Sequence, residues 1–505
     1  MKAYYLPSLL GLWLAVVGWP GAAQAQTAEP LPIPAGDPAF EVEVDTDALD
    51  LEDDAVTVEG ETETVETETS PSSSTSTLSA TEAFNLGVQS FNQQNYVAAL
   101  EAFNIAIDLQ PDRASAYQYR GLIYAQQQDY DQALAELNQA IALDPGNPNF
   151  YLVRGSIFYQ QGSLDQAQAD FNTVLASHPE SANAYLYRGL IDTQQGRHEL
   201  ALEDFSVAIE LDPTNPTAYV LRGFAWERVK SYANAVTDFT QAIQLDGDLA
   251  RAYMGRGVAY YHMELYDSAL SDLNQAVRQN PELARAYLNR SYVYYRLGRP
   301  TRALQDLDQA LALDPYLAEA YMSRGIIRAD QGDLRGAEQD FAQALQINPD
   351  SAVAYKQKAD VLMRIGNTAG AIADYSEAIL IDPDYAAAYK ARGDAYMAAG
   401  NPFAAVNDYS QALALQPDFT EVYAARGAAY LKLGQGENAY KDLSQAVAVA
   451  PDQVDPEVYY NLGMLLARLG DDVGAWRNFE EAARLYLQQG NAAGYRRTLQ
   501  EMGKL

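Results

Sequence analysis

Residues 114–147 read ASAYQYRGLIYAQQQDYDQALAELNQAIALDPGN. Apolar and small residues recur in this stretch at intervals of three and four, at Tyr117, Gly121, Tyr124, Ala133, Leu137 and Ala140. A polar break at 126–129 separates the two runs, and Pro145 follows the second. The pattern predicts two amphipathic helices joined by a turn, each with an apolar face that a neighbouring helix must cover.

The same unit recurs through the chain with a period of 34 residues. Proline recurs with this period at Pro111, Pro145, Pro179, Pro213, Pro281, Pro315, Pro349, Pro383, Pro417 and Pro451. Gly247 takes the one position in this series that lacks proline. Alanines recur at Ala133, Ala167, Ala201, Ala235, Ala269, Ala303, Ala337, Ala371, Ala405 and Ala439. Such a period is typical of an α-solenoid, in which helical hairpins stack on one another.

In these residues the chain resembles the tetratricopeptide repeat family. The resemblance covers about residues 79–490 and implies an all-α, right-handed superhelix of twelve repeats, each with two helices called A and B. Residues 491–505 are predicted to form a capping helix, with Tyr495, Leu499 and Met502 on one side and Arg496 and Arg497 on another.

The residues before the array have a different composition. Residues 1–25 resemble a cleaved signal peptide, because Lys2 precedes an apolar core at 9–19 and an Ala-Gln-Ala site ends at Ala25. Residues 26–78 are predicted to be a disordered spacer, since Gln26–Ala80 contains 15 acidic residues and no lysine or arginine. The alternative functions for this segment are a flexible tether and an acidic binding segment for a basic partner.

The overall composition limits the chemistry. The 505 residues include no cysteine, which excludes thiol catalysis and thiolate metal sites, and the net charge is −34. Such a charge disfavours binding to nucleic acid. We find no cofactor motif, and no pattern of histidines or carboxylates that suggests a metal site. The sequence therefore predicts a non-enzymatic protein without a cofactor.

In repeats two to eleven, an arginine or lysine near the middle of the first helix is matched by an acidic residue sixteen positions later. The pairs are Arg120/Glu136, Arg154/Asp170, Arg188/Asp204, Arg222/Asp238, Arg256/Asp272, Arg290/Asp306, Arg324/Asp340, Lys358/Asp374, Arg392/Asp408 and Arg426/Asp442. The first and last repeats lack both partners, so the charges occur together or not at all. This predicts a ladder of ion pairs between helices A and B, and a row of ligand-binding arginines is the alternative.

Glycine follows most of these arginines, although glycine inside a helix costs about 1 kcal/mol relative to alanine. Its recurrence predicts a close approach of helices A and B. We expect the alanines that recur with the 34-residue period to face this glycine, as Ala235 would face Gly223.

The family resemblance implies that helix A lines a concave groove. The groove residues predicted in this chain are Leu186, Leu190, Val220, Phe224, Arg251, Met254, Val258, Tyr261, Arg285, Leu288, Tyr292, Tyr295, Met322 and Ile326. Lys356, Asp360, Lys390 and Asp394 make the later part of this face more polar. An apolar or amphipathic segment of a partner protein suits the central part, and burial of these side chains between helices is the alternative.

The sequence thus predicts an exported protein, periplasmic or secreted, that binds or scaffolds other proteins and does not insert into the membrane after signal cleavage. Two other functions remain open. One is a structural protein that assembles with copies of itself, and the other is a regulatory subunit of an enzyme of the bacterial cell envelope.

Overall fold

The computed structural model describes residues 78–449 and 454–505. The predicted signal peptide and most of the predicted acidic spacer lie outside the described residues. Within them the chain forms helices and turns without strands. The all-α prediction is therefore confirmed.

The helices fall into two compact units, residues 78–293 and 294–505. The first unit contains α1 (Ala80–Asn92), α2 (Tyr96–Leu109), α3 (Ala114–Gln126), α4 (Tyr130–Leu143), α5 (Pro148–Gln160), α6 (Leu164–Ser177), α7 (Ala182–Gln194), α8 (His198–Leu211), α9 (Pro216–Arg228), α10 (Tyr232–Leu245), α11 (Ala250–His262), α12 (Tyr266–Gln279) and most of α13 (Ala284–Arg296). Consecutive helices pair as antiparallel hairpins, α1 with α2 through α11 with α12.

The second unit begins at Tyr294. It contains α14 (Pro300–Leu313), α15 (Ala318–Asp330), α16 (Leu334–Ile347), α17 (Ala352–Ile365), α18 (Thr368–Ile381), α19 (Ala386–Ala398), α20 (Pro402–Leu415), α21 (Thr420–Lys432), α22 (Gly436–Val449), α23 (Pro456–Arg468), α24 (Asp472–Gln488) and α25 (Ala492–Met502). Hairpins form from α15 with α16 through α23 with α24, and α25 packs on α24.

Local sequence sets where the helices begin and turn. The Ser79 hydroxyl caps α1 by accepting from Glu82 N, and the Glu82 carboxylate accepts from Ser79 N at 2.7 Å. These hydrogen bonds hold the pKa of Glu82 below its usual value. The tight turn within a hairpin needs a left-handed residue, and Gly196 supplies it with φ of +75° after α7.

The recurring glycine makes the predicted close contact between helices, and at Gly223 the nearest side chain is an aromatic ring that the sequence analysis did not name. A Cβ added at Gly223 would lie 2.7 Å from Cε1 of Phe239, which is fully buried on α10. Gly255, on the next first helix, also faces this ring. The Phe239 ring is therefore the nearest group to Gly223, and in other repeats the recurring alanine also lies close to the glycine, as Ala133 O does at 3.2 Å from a Cβ added at Gly121.

The last helix packs partly as predicted, because Tyr495 and Met502 lie against the apolar cluster that contains Phe479 and Tyr486. Asn491 caps α25, and the guanidinium of Arg497 lies 4.0 Å from the centre of the Tyr460 ring on α23. Arg497 also pairs with Glu457, whereas Leu499 is exposed. The aromatic ring and the carboxylate attract the cation, so the predicted polar side of the helix faces the array in part.

Candidate functional site

The predicted groove residues all lie on first helices of hairpins or on α13. Nine of them are buried: Leu186, Leu190, Val220, Phe224, Met254, Val258, Leu288, Tyr292 and Tyr295. The other five are half-buried: Arg251, Tyr261, Arg285, Met322 and Ile326. The partly accessible members are therefore mainly the long polar and aromatic side chains.

In the first unit, the buried members contribute to packing between helices. Leu186 and Leu190 belong to one apolar cluster with Phe205 on α8 and Leu221 on α9. The Phe224 ring meets the Phe239 ring edge-on, with 5.1 Å between centroids. Truncating these side chains would remove packing as well as any contact with a partner.

The accessible members of the first unit lie on α11 and α13. Tyr261 contacts the rings of Tyr266 and His262, at centroid distances of 5.8 and 5.6 Å. Arg251 and Arg285 stand at equivalent positions, one 34-residue period apart. Together they place an aromatic ring and two cationic side chains on successive first helices.

In the second unit, Met322 and Ile326 pack against a cluster of Ala329, Phe341 and Val361. Tyr295 donates its hydroxyl hydrogen bond to the carboxylate of Asp330. The hydroxyl of this tyrosine is thus engaged within the chain.

Two later hairpins of the second unit each carry a lysine, an aspartate and a tyrosine that contact one another. Lys356 pairs with Asp360 at 2.7 Å, and Tyr375 of α18 donates to the same carboxylate at 2.7 Å. Burial and the adjacent carboxylate raise the pKa of Tyr375.

The next hairpin repeats this arrangement. Lys390 pairs with Asp394 at 2.8 Å, and Tyr409 donates to Asp394 at 2.7 Å. Elsewhere this second-helix position holds phenylalanine or leucine, so the joint appearance of tyrosine and aspartate was a signal in the sequence that our sequence analysis missed.

The ion-pair ladder is confirmed. In nine of the predicted pairs the cationic nitrogen and the carboxylate oxygen are 2.6–2.9 Å apart. The tenth pair, Arg290 and Asp306, has one residue in each unit. The acidic side chains of the nine pairs are only 3–17% exposed, so these cations hold the helices of a hairpin together.

Each ladder arginine also reaches the preceding hairpin. Arg256 donates through Nη1 to Thr240, sixteen residues earlier, at 3.0 Å. Equivalent bonds run from Arg120 to Asn104, Arg154 to Asn138, Arg188 to Asn172, Arg222 to Ser206, Arg290 to Asn274, Arg324 to Asp308, Arg392 to Ser376 and Arg426 to Ser410. The polar residue sixteen positions before each arginine could have revealed this contact, which ties neighbouring hairpins together.

A shallow cavity of about 430 Å³ in the first unit is lined by charged side chains. Arg188 pairs there with Asp204, and Arg197 pairs with Asp192. These pairs neutralise one another, and Glu203 leaves the lining with one net negative charge. Among residues 78–449 and 454–505, no group of three histidines or carboxylates is placed to hold a metal ion.

Glu227, near the end of α9, is half-buried, with one carboxyl oxygen shielded from solvent. Its Oε1 is shielded from solvent and has no hydrogen-bond partner among the described residues. Burial raises the pKa of Glu227 well above its usual value, and the neighbouring Arg228 only partly opposes this. Nearby, His262 stacks on Tyr232 with 4.6 Å between centroids.

Replacing Glu227 by glutamine is expected to stabilise the protein increasingly as pH rises above about 4.5. The unfolded carboxyl ionises near that pH, whereas the folded one resists ionisation, so the wild type loses stability as pH rises through the folded pKa. Melting temperatures measured from pH 4 to pH 8 would test this.

The exposed Glu264, in the turn after α11, provides the control. Glu264→Gln removes the same charge from the surface and should change the melting temperature little. An advantage of Glu227→Gln that does not vary with pH would contradict the assignment of strain to the ionised carboxylate.

None of the helices in the described residues combines the length and apolar character needed to cross a membrane. This finding applies to residues 78–449 and 454–505 and leaves the predicted signal peptide untested.

Comparison with known proteins identifies the repeat. Models described as tetratricopeptide repeat match residues 152–216, 228–284, 263–318, 290–352 and 420–453, and a model described as TPR repeat matches 121–162, 359–400 and 393–434. Together they span 121–453 apart from two short gaps, which is more than half of the chain. No curated protein sequence matches it.

Among solved structures, the chain is similar to a tetratricopeptide repeat protein from Parabacteroides merdae, with 22% identity and a TM-score of 0.43, covering 50% of this chain and 98% of that one. It is also similar to the APC/C hetero-tetramer Cut9–Hcn1, with 14% identity and a TM-score of 0.44, covering 84% of this chain and 97% of that one. The recurrent family matches and the helical hairpins agree with the 34-residue period of the sequence. The chain belongs to the tetratricopeptide repeat family.

Proposed function

We propose that the protein is a non-catalytic scaffold of the bacterial cell envelope that binds segments of partner proteins on its first-helix face. Tetratricopeptide repeats generally mediate interactions between proteins, which supports the scaffold role. The supporting observation in this chain is the set of Arg251, Tyr261 and Arg285, which remain half-buried while their apolar neighbours are buried.

The chemistry of this surface favours an amphipathic segment that carries carboxylates. Tyr261 offers an aromatic ring, and aromatic side chains commonly dominate binding energy at protein interfaces. Arg251 and Arg285 offer guanidinium groups that can take carboxylates in bidentate geometry. We propose that this surface recognises its partner and takes no part in a chemical reaction.

Charge reversal at these two arginines tests the proposal. Arg251→Glu with Arg285→Glu should weaken capture of the partner from envelope extracts by about tenfold or more, since like charges across an interface cost several kcal/mol. Bound proteins would be identified and quantified by mass spectrometry.

Arg278→Glu is the matched control, because Arg278 is exposed on the second helix α12 of the same unit. A circular dichroism spectrum and melting temperature close to the wild type would show that both variants fold. Equal capture by the wild type and the folded double variant would contradict binding on the first-helix face.

The envelope location rests on residues 1–25, whose pattern is that of a signal peptide. We propose export to the periplasm with cleavage after Ala25. The mass of the protein purified from its native source should correspond to a chain that starts at Gln26. An intact Met1 end on cytoplasmic protein would contradict export.

A further inference from the structure

The last hairpin of the array has an exposed apolar surface on its second helix. Val473 and Trp476 lie in the first two turns of α24 and are 66% and 48% exposed. Leu487, about three helical turns after Trp476, lies on the same side of the helix and is also exposed. Leu469, in the turn before α24, is exposed as well. We call Leu469, Val473, Trp476 and Leu487 the terminal patch.

Trp476 occupies the position at which an earlier hairpin contacts the hairpin that follows it. The equivalent residue on α8 is Leu202, which directly follows a recurring alanine as Trp476 does. Leu202 is only 8% exposed, because it belongs to an apolar cluster with Leu221 and Ala225 of α9. In the last hairpin only the 11 residues of α25 follow, and they leave nearly half of Trp476 exposed. The terminal patch therefore continues a surface that the array elsewhere buries against another repeat.

A cavity of about 290 Å³ lies beside this surface, between α23, α24 and the end of α25. Met464, Ala467 and Phe479 supply much of its apolar lining. Leu505, which is 40% exposed, also lines it. The helix α25 thus fills the end of the array incompletely and leaves room for apolar side chains from outside the chain.

The charge of the last three helices differs from that of the whole chain. Residues 456–505 contain six acidic and six basic side chains, whereas the full chain has a net charge of −34. Two copies of so acidic a chain repel one another when their charged surfaces approach. At an end with balanced charge, two copies can approach with little of this repulsion.

We propose that the terminal patch binds the same patch of a second copy of this chain, so that the protein is a dimer joined at its C-terminal end. Identical surfaces that meet about a twofold axis form the commonest kind of homo-oligomer. The apolar residues of the patch form the centre of the interface, and the exposed Arg477 and Glu480 beside them form part of its polar rim.

The proposed interface uses none of the residues assigned above to partner binding. Tryptophan is a frequent source of binding energy at the centres of interfaces, so we expect Trp476 to contribute strongly. The dimer carries two sets of the proposed partner-binding residues, so it holds a partner with two binding segments more tightly than one copy does.

Sedimentation equilibrium of the purified full chain tests the proposal. At micromolar concentrations we expect a mass twice that of one chain, in equilibrium with the monomer. Val473→Glu and Trp476→Glu, made separately, should each raise the dissociation constant of the dimer by about tenfold or more, because like charges meet across the interface.

Phe403→Glu is the matched control. Phe403 is the second residue of α20, as Val473 is of α24, and it is 67% exposed. The substitution adds the same negative charge to the same unit and should leave the dissociation constant unchanged. Circular dichroism spectra and melting temperatures would verify that all three variants fold.

Salt distinguishes an apolar interface from one made by ion pairs. Raising the salt concentration from about 0.1 M to about 1 M shortens the screening length from about 10 Å to about 3 Å. Because this weakens the repulsion between two acidic copies, the dissociation constant of the dimer should fall. A dimer that dissociates more readily at high salt would contradict an apolar interface.

Three further results would overturn the proposal. One is a chain that stays monomeric up to about 100 μM, where a dimer with a micromolar dissociation constant is almost fully formed. Another is a dimer that both Val473→Glu and Trp476→Glu leave intact, or that Phe403→Glu weakens equally. The third is a monomeric chain in which a protein from envelope extracts slows hydrogen exchange at residues 469–487, because that result would assign the patch to a different partner.

Discussion

Replacing Phe239 by alanine is expected to cost about 3–5 kcal/mol of unfolding free energy in the hairpins that contact it. The ring is fully buried on α10 and lies against Gly223, Gly255 and Phe224, so its removal leaves a cavity bounded by three helices. Stability in repeat arrays is roughly a sum of terms between nearest neighbours, so the loss should be local. Hydrogen exchange resolved by peptide should show faster exchange in α9–α11 than in the distant α1 and α2.

Phe239→Leu is the matched control for this site. Four other repeats carry leucine at the equivalent position, at Leu137, Leu273, Leu307 and Leu443. The leucine variant should therefore be destabilised much less than the alanine variant. Equal losses in the two variants, or uniform loosening of the whole array, would contradict the packing described here.

Replacing Arg256 by leucine is expected to cost about 2 kcal/mol, between the values for surface and buried ion pairs. Arg256 holds Asp272 through hydrogen bonds of 2.7 and 3.0 Å, and Asp272 is itself buried. The substitution leaves this carboxylate without its counter-charge and also removes the bond to Thr240. Denaturant unfolding would measure the loss.

A double-mutant cycle with Asp272→Tyr separates the ion pair from other effects. The second substitution removes the stranded carboxylate, so it should recover a substantial part of the stability lost in Arg256→Leu. Additive losses, with no coupling between the two positions, would contradict a direct pair. Arg256→Lys should keep the charge interaction but lose the bond to Thr240, because an ammonium group lacks the guanidinium fork.

The sequence predicted these elements where many repeats give the same signal. The hairpins follow from the 34-residue period, and the ladder follows because each cation occurs with its acidic partner. The contact between Gly223 and Phe239 was only half predicted. A recurring glycine indicates a close approach, but several recurring residues are candidates for the other side of it.

Features confined to one or two repeats were harder to predict. Glu227 is the single carboxyl at its position in the neighbouring repeats, and its burial depends on how three helices pack. The groove presented a different difficulty, because an apolar face such as that of Leu186 and Leu190 has the same pattern whether it packs against a helix or binds a partner. Burial therefore had to come from the structure.

Photocrosslinking from Tyr261 tests the central claim of partner binding on the first-helix face most directly. A photoreactive phenylalanine analogue would replace Tyr261 in one protein and Tyr316, which is 80% exposed in a loop between hairpins, in another. We predict that illumination in the native envelope gives discrete adducts with other proteins from position 261 and few from position 316. Adducts from position 316 alone, or none from position 261 in the folded protein, would contradict the claim.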